Sequence, residues 1–240
     1  MGGLVVLAWL ALIVWGASPY GRYLDHESLA ELDIPASAAT ALFVGGWTLM
    51  IVAMMLPTAY PVVALFSAVV SGHRDRRRLL ALCIAGYVVV WSGFGYLVYV
   101  ADVGVHEAVD QVGWLGERPW VVGAAVLAGA GAYQFSDLKY RCLDACRSPR
   151  LFVVRRWTGR RPRLDAFAVG ADSGLFCLGC CWSLMLVVFA VGAGSIPVML
   201  GLGAMMAAEK NLPWGTRVKV PLAVALALAA IVVVVQGGIG

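Results

Sequence analysis

An all-α, polytopic bundle of membrane helices, about seven of them in a single domain over residues 1–240, is the fold class this sequence predicts. Three observations carry it. Hydrophobic residues make up 61% of the chain and charged residues only 13%, against about 25% charged in a soluble domain. The apolar residues gather in runs near the roughly 20 residues that cross a bilayer. The charges fall mainly between those runs and alternate in sign from one segment to the next.

Residues 4–17 form the first run. No basic stretch precedes it and no small-x-small cleavage pattern follows, so it reads as a short retained helix rather than a signal peptide. Residues 38–70 are too long for one straight crossing, and Gly45, Gly46, Pro57 and Pro61 divide or bend them, because a proline inside a helix frees a backbone carbonyl that needs another partner. Residues 79–100, 120–135, 172–193, 196–208 and 218–235 supply the remaining five runs. The sixth run has the shortest apolar part and ends at Glu209 and Lys210, just before Pro213.

Loop charge orients this set. Residues 73–78 and 139–163 are rich in Arg, whereas residues 25–33 and 102–117 are acidic. Basic loops stay on the cytoplasmic side, so the expected topology has the N-terminus inside and the C-terminus outside. The net charge of +4 serves orientation against the lipid bilayer and gives no footprint for nucleic acid.

Five of the six cysteines fall in two groups, Cys142 and Cys146, then Cys177, Cys180 and Cys181. Cys142 and Cys146 are four residues apart and share a helical face, as do Cys177 and Cys181. If the fourth helix continues straight past Asp137, the first pair stands roughly 7 to 14 Å beyond the membrane; if the fifth enters near Asp172, the second group lies roughly 7 to 14 Å inside it. Both groups then face the reducing side, which argues against structural disulfides. Arg141 and Arg147 flank the first pair and favour the thiolate form. Cys-x-x-Cys-Cys suits copper, zinc or disulfide chemistry alike, and Gly174 and Gly179 beside small cysteines also suit plain helix packing. Cys83, alone on the third helix, reads as core.

Methionine adds a softer signal. Met50, Met54 and Met55 line the end of the second run, and Met199, Met205 and Met206 lie on the sixth; thioethers with thiolates form a ligand set that favours Cu(I) over hard cations, although methionine also fills apolar gaps. Gln134, Lys139, Asp172 and Glu209 lie at span ends, where polar groups are costly and hence candidates for a proton or ion relay. Glu209 pairs either with its neighbour Lys210 or, as a carboxylate pair, with Asp172. The histidines read as solvated, with His26 beside Asp25 and Glu27, or His106 beside Glu107 and Asp110, as weak capture sites for a divalent ion.

Four ordered motifs carry a resemblance. Residues 53–57 (Ala-Met-Met-Leu-Pro) with Pro61, residues 132–149 from Ala-Tyr-Gln through Cys142 and Cys146 to Arg-Ser-Pro, residues 174–182 (Gly-Leu-Phe-Cys-Leu-Gly-Cys-Cys-Trp), and Glu209-Lys210 before Pro213-Trp-Gly215 resemble the DUF2182 family of bacterial integral membrane proteins, described as metal-binding by prediction. The resemblance implies that Met54, Met55, Pro57, Gln134, Lys139, Cys142, Cys146, Cys177, Cys180, Cys181 and Glu209 belong to the family pattern. Cys83 and the histidines lie outside it. The resemblance to bacterial proteins also implies a bacterial inner (cytoplasmic) membrane, crossed several times.

No phosphate loop, His-Glu-x-x-His motif or serine elbow occurs, which excludes an ATP-driven pump within the chain and makes an enzyme the weaker reading. Three functions remain. A soft-metal protein, most naturally for Cu(I) with Zn as the other ion, would carry the ion or deliver it to a metallochaperone or metalloenzyme partner through Met54, Met55 and the five clustered thiols. A membrane thiol-disulfide oxidoreductase would use the same cysteines in pairs. A structural or assembly partner would use them only for packing.

Overall fold

The apolar runs fold as helices, and a computed structural model describes residues 2–16, 35–118, 120–191 and 195–237. Ten helices order these residues: α1 (Gly2–Gly16), α2 (Ala36–Met54), α3 (Tyr60–Val69), α4 (Arg76–Gln111), α5 (Trp120–Tyr133), α6 (Asp137–Cys146), α7 (Pro149–Arg156), α8 (Pro162–Val191), α9 (Ile196–Asn211) and α10 (Lys219–Gly237). Short turns at Pro57–Ala59, Gly113–Gly116 and Gly215–Val218 join them. No strand occurs among the described residues.

Among the described residues, four stretches are long and apolar enough to cross a membrane: Ser37–Met54, Arg76–Val109, Pro162–Ala190 and Gly215–Gly237. Helices α5 and α6 make a fifth only if the bend between them is counted inside one span. The architecture is that of a multi-pass membrane protein. The described parts of all seven expected runs are helical in the main, but α1 has 15 residues and α9 has 16, both short of a full crossing at 1.5 Å per residue.

Local chemistry explains where the elements depart from the expected pattern. Helix α2 stops at Met54 because Pro57 has no amide hydrogen to continue the ladder. The Met55 carbonyl left at this break accepts from the Thr58 amide at 3.1 Å, the Thr58 hydroxyl at 2.7 Å and the Tyr87 hydroxyl at 3.1 Å. The acidic segment after residue 100 is not a loop but the last part of α4, whose 36 residues extend about 54 Å. The basic segment 139–163 is likewise largely helical, forming most of α6, all of α7 and the start of α8.

The straight continuation of the fourth helix toward Cys142 is overturned. The axis turns by 66° between Tyr133 and Asp137, and a new helix starts where Ser136 caps it by accepting from the Lys139 amide at 3.2 Å. Cys142 and Cys146 are therefore folded against the bundle instead of projecting from it. The fifth helix also begins earlier than expected, at Pro162, which leaves Asp172 well inside α8.

Helix α8 is the centre of the bundle. Of its apolar window 56% is buried, against 22% for the window ending at Gly237, and it packs on α4, α5, α6 and α7. The α4–α8 approach is close enough that a Cβ on Gly170 would run into the Cys83 carbonyl, and one on Gly86 into the Phe167 carbonyl. Small residues at such crossings let the backbones touch. Helix α10 packs on α5 and turns Val224, Leu228, Ile231 and Val235 outward, as a lipid-facing helix does.

Candidate functional site

The candidate site forms where the break after α2 and the helices α4, α6 and α9 meet the middle of α8. On α8, residues 177, 180 and 181 turn inward, and all three cysteines are buried. From the bundle's half-buried Cys146 the sulfurs run inward in single file. Cys146 Sγ lies 3.9 Å from Cys180 Sγ, Cys180 Sγ 3.8 Å from Cys181 Sγ, and Cys181 Sγ 3.8 Å from Met55 Sδ. Cys177 Sγ joins the inner end at 4.0 Å from Cys181 Sγ. Two sulfurs each about 2.3 Å from a shared ion stand about 3.8 to 4.0 Å apart at tetrahedral or trigonal angles.

The arrangement is a file and not a cage. Among the described residues, no three His, Cys, Asp or Glu side chains form a group that could hold a metal ion. Two sulfur pairs within α8 are joined to Cys146 of α6 at one end and to the thioether of Met55 at the other. This suits an ion content with two or three soft ligands better than one that requires four.

Polar groups fix the inner end. Cys177 Sγ touches the Tyr87 hydroxyl at 2.8 Å and the Lys210 ammonium at 2.7 Å; the ammonium also donates to Thr58 Oγ1 at 3.2 Å. The Cys180 and Cys181 thiols contact the Cys177 carbonyl at 3.1 and 2.9 Å. Sequence reasoning missed Tyr87 and Thr58 and treated Lys210 only as a neighbour for Glu209. For Lys210 the signal was there, since an ionisable residue on an apolar helix is a site candidate by default; a tyrosine on an apolar helix carries no such mark.

A family model described as "PpoB2: Copper chaperone" matches residues 44–233, which includes every sulfur in the file. The chain belongs to the PpoB2 copper chaperone family. Comparison with curated proteins and with solved structures found no match. The family thus attaches a copper-related role to a chain whose sulfurs already converge.

The chain's other candidate residues lie beside the file or apart from it. Lys139 and Glu209 form a buried ion pair at 2.9 Å, with Gln134 Oε1 as a third partner of the ammonium and Gln134 Nε2 donating to the Ala130 carbonyl at 2.9 Å. The pair joins the α5–α6 bend to α9. Asp172 is clasped instead by Arg156 through two hydrogen bonds of 2.7 Å, which raise that guanidinium above its usual range. Glu209 therefore pairs neither with Lys210 nor with Asp172; each carboxylate has its own cation.

Cys142 does not join the sulfur file. Its Sγ rests on Gly179, where a Cβ would collide with it, so it serves the α6–α8 contact. Arg147 donates to the backbone carbonyls of Glu209 at 2.7 Å and Pro213 at 3.4 Å, which ties α6 to the end of α9. Met54 is buried but faces Gly203 of α9. Met50, Met199 and Met206 are core residues, and Cys83 is buried at the α4–α8 crossing.

The histidines lie apart. His73 packs edge-on to Trp157, and His106 contacts the Asp102 carbonyl at 2.9 Å and its carboxylate at 3.8 Å on its own helix. His26, Asp25 and Glu27 fall outside the described residues, as does the Asp110 side chain.

Proposed function

We propose that this protein takes up Cu(I) at the half-buried end of the sulfur file and hands it onward by ligand exchange, as a membrane copper-delivery factor. The observation that carries the reading is the run of contacts from Cys146 through Cys180 and Cys181 to Met55, each 3.8 to 3.9 Å long. An ion bound by one pair of sulfurs can engage the next before releasing the first, so no step leaves it without soft ligands. Cys177 closes the inner end as a second thiolate beside Cys181. Met54 and Cys142, expected in the same ligand set, stand beside the file and support it by packing, Met54 on Gly203 of α9 and Cys142 on Gly179 of α8.

Gln134, Lys139, Asp172 and Glu209 act in this reading as positioning groups. Lys139 and Glu209 hold α9, and with it Lys210, against the bend that carries α6; Asp172 and Arg156 hold α7 on α8. The resemblance to bacterial proteins supports an inner (cytoplasmic) membrane, and loop charge supports a mouth on its cytoplasmic side. The partner is then a metallochaperone that supplies the ion or a metalloenzyme that accepts it. Zinc is the weaker cargo, because a thioether adds little to its preferred set of thiolates and imidazoles.

Purified, reduced protein is expected to take up about one equivalent of Cu(I) in competition with a chromophoric chelator. The double substitution Cys177→Ser with Cys181→Ser should abolish that uptake. Unchanged uptake in the double variant would remove the site. A second reading, thiol-disulfide exchange, draws on the Cys146–Cys180 approach between two helices; a cysteine pair that cycles with a quinone, without stoichiometric metal, would favour it.

A further inference from the structure

Four charged side chains are buried among the described residues: Lys139, Asp172, Glu209 and Lys210. Three of them are matched by a permanent opposite charge, Lys139 with Glu209 and Asp172 with Arg156. Lys210 is the exception. Among the described residues no carboxylate pairs with it, although its chain neighbour Glu209 is turned to Lys139. Its two hydrogen-bond acceptors are Thr58 Oγ1 and Cys177 Sγ.

A buried charge is tolerated when it is paired. Among the described residues, the hydrogen-bond partner of Lys210 that can become an anion is the sulfur at the inner end of the file, 2.7 Å away. We infer that Lys210 is a charge-selecting residue of the copper site, one that admits a monovalent soft cation and disfavours a divalent one. The inference rests on the sulfur file being the metal site.

Charge counting gives the reason. Metal-bound cysteines are thiolates, so a monovalent ion between Cys177 and Cys181 makes a unit of net charge −1, with Met55 adding a neutral thioether. The Lys210 ammonium brings the buried assembly to zero. A divalent ion on the same ligands is already neutral, and the ammonium then leaves an uncompensated +1 in a medium where such a charge is costly. Cys180 as a third thiolate would restore balance for a divalent ion, but among the described residues Cys177, Cys180 and Cys181 do not form a group that could hold one.

The fixed charge thus acts independently of ligand softness. Softness excludes magnesium and calcium; zinc, which also favours thiolates, is the ion that the ammonium is placed to reject. A residue required only for packing would change both affinities in the same direction.

The test measures Cu(I) and Zn(II) affinities of the reduced full chain in detergent, by chelator competition, for the wild type and three variants. Lys210→Gln is expected to weaken Cu(I) and strengthen Zn(II), so that the preference for Cu(I) falls about tenfold or more. Lys210→Arg should keep the preference. Thr58→Asp, which leaves Lys210 in place but offers it a carboxylate, should move the preference in the same direction as Lys210→Gln, and it reports even if the glutamine variant does not fold. A Cu(I) to Zn(II) preference unchanged within about threefold in Lys210→Gln or Thr58→Asp overturns the inference while leaving the copper site standing. Failure of the wild type to bind Cu(I) would overturn the functional reading itself.

Discussion

At the scale of single residues, the sulfurs differ in what their loss should do. Cys181 touches Cys180, Met55 and Cys177 and is the junction of the file, so Cys181→Ser should weaken Cu(I) binding by about 100-fold or more, since even outer-shell changes at metal sites cost about 10- to 100-fold. Cys83→Ser, at the α4–α8 crossing, should leave binding unchanged, and the contrast is read in one chelator competition. The buried pair carries a stability prediction: Lys139→Met or Glu209→Gln alone leaves one charge unmatched and should cost about 3 to 5 kcal/mol, whereas replacing both with apolar residues should cost much less. Thermal unfolding in detergent checks it. Much of this was legible in the sequence. Clustered thiols at helical spacing pointed to Cys177, Cys180 and Cys181 directly, and an intramembrane carboxylate pointed to Glu209. The partners were not legible, because Lys139 and Glu209 are 70 positions apart and residue types alone do not choose between Lys139, Lys210 and Arg156 as cations.

At the scale of elements, two junctions place the site. One is the α4–α8 crossing, where Gly170 has no room for a side chain. Gly170→Ala should destabilise the protein by about 1 to 3 kcal/mol, as overpacking does. Gly129→Ala, with open space at its Cβ position, should be neutral or slightly stabilising through helix propensity, and the two midpoints measured side by side separate packing from propensity. The other junction is the α5–α6 bend, where Ser136 and Asp137 are a helix-start signal, a capping side chain followed by an acid in the first turn. That signal was readable. It lost to the apolar run ahead of it, and the straight continuation placed Cys142 and Cys146 outside the bundle. The end of α2 was easier, because a proline states its effect locally.

At the scale of the whole molecule, the bundle is organised around α8, which carries three of the file's thiols while its neighbours bring the rest to it. The membrane class was legible from composition alone, but the number of spans was not, because α1 and α9 are as apolar as true spans and simply shorter. Orientation gives a prediction at this scale. Cys146 is the half-buried thiol at the outer end of the file, so a membrane-impermeant maleimide should label it from the side that bears the Arg-rich segments 73–78 and 139–163, and prior loading with Cu(I) should slow that labelling. The central claim is that an ion sits on sulfur, in the file that runs from Cys146 to Met55. X-ray absorption at the copper edge of the Cu(I)-loaded protein tests it most directly. The expected result is a shell of two or three sulfurs at about 2.3 Å that loses a scatterer in Cys181→Ser; a shell dominated by nitrogen or oxygen, unchanged by that substitution, would place the ion elsewhere.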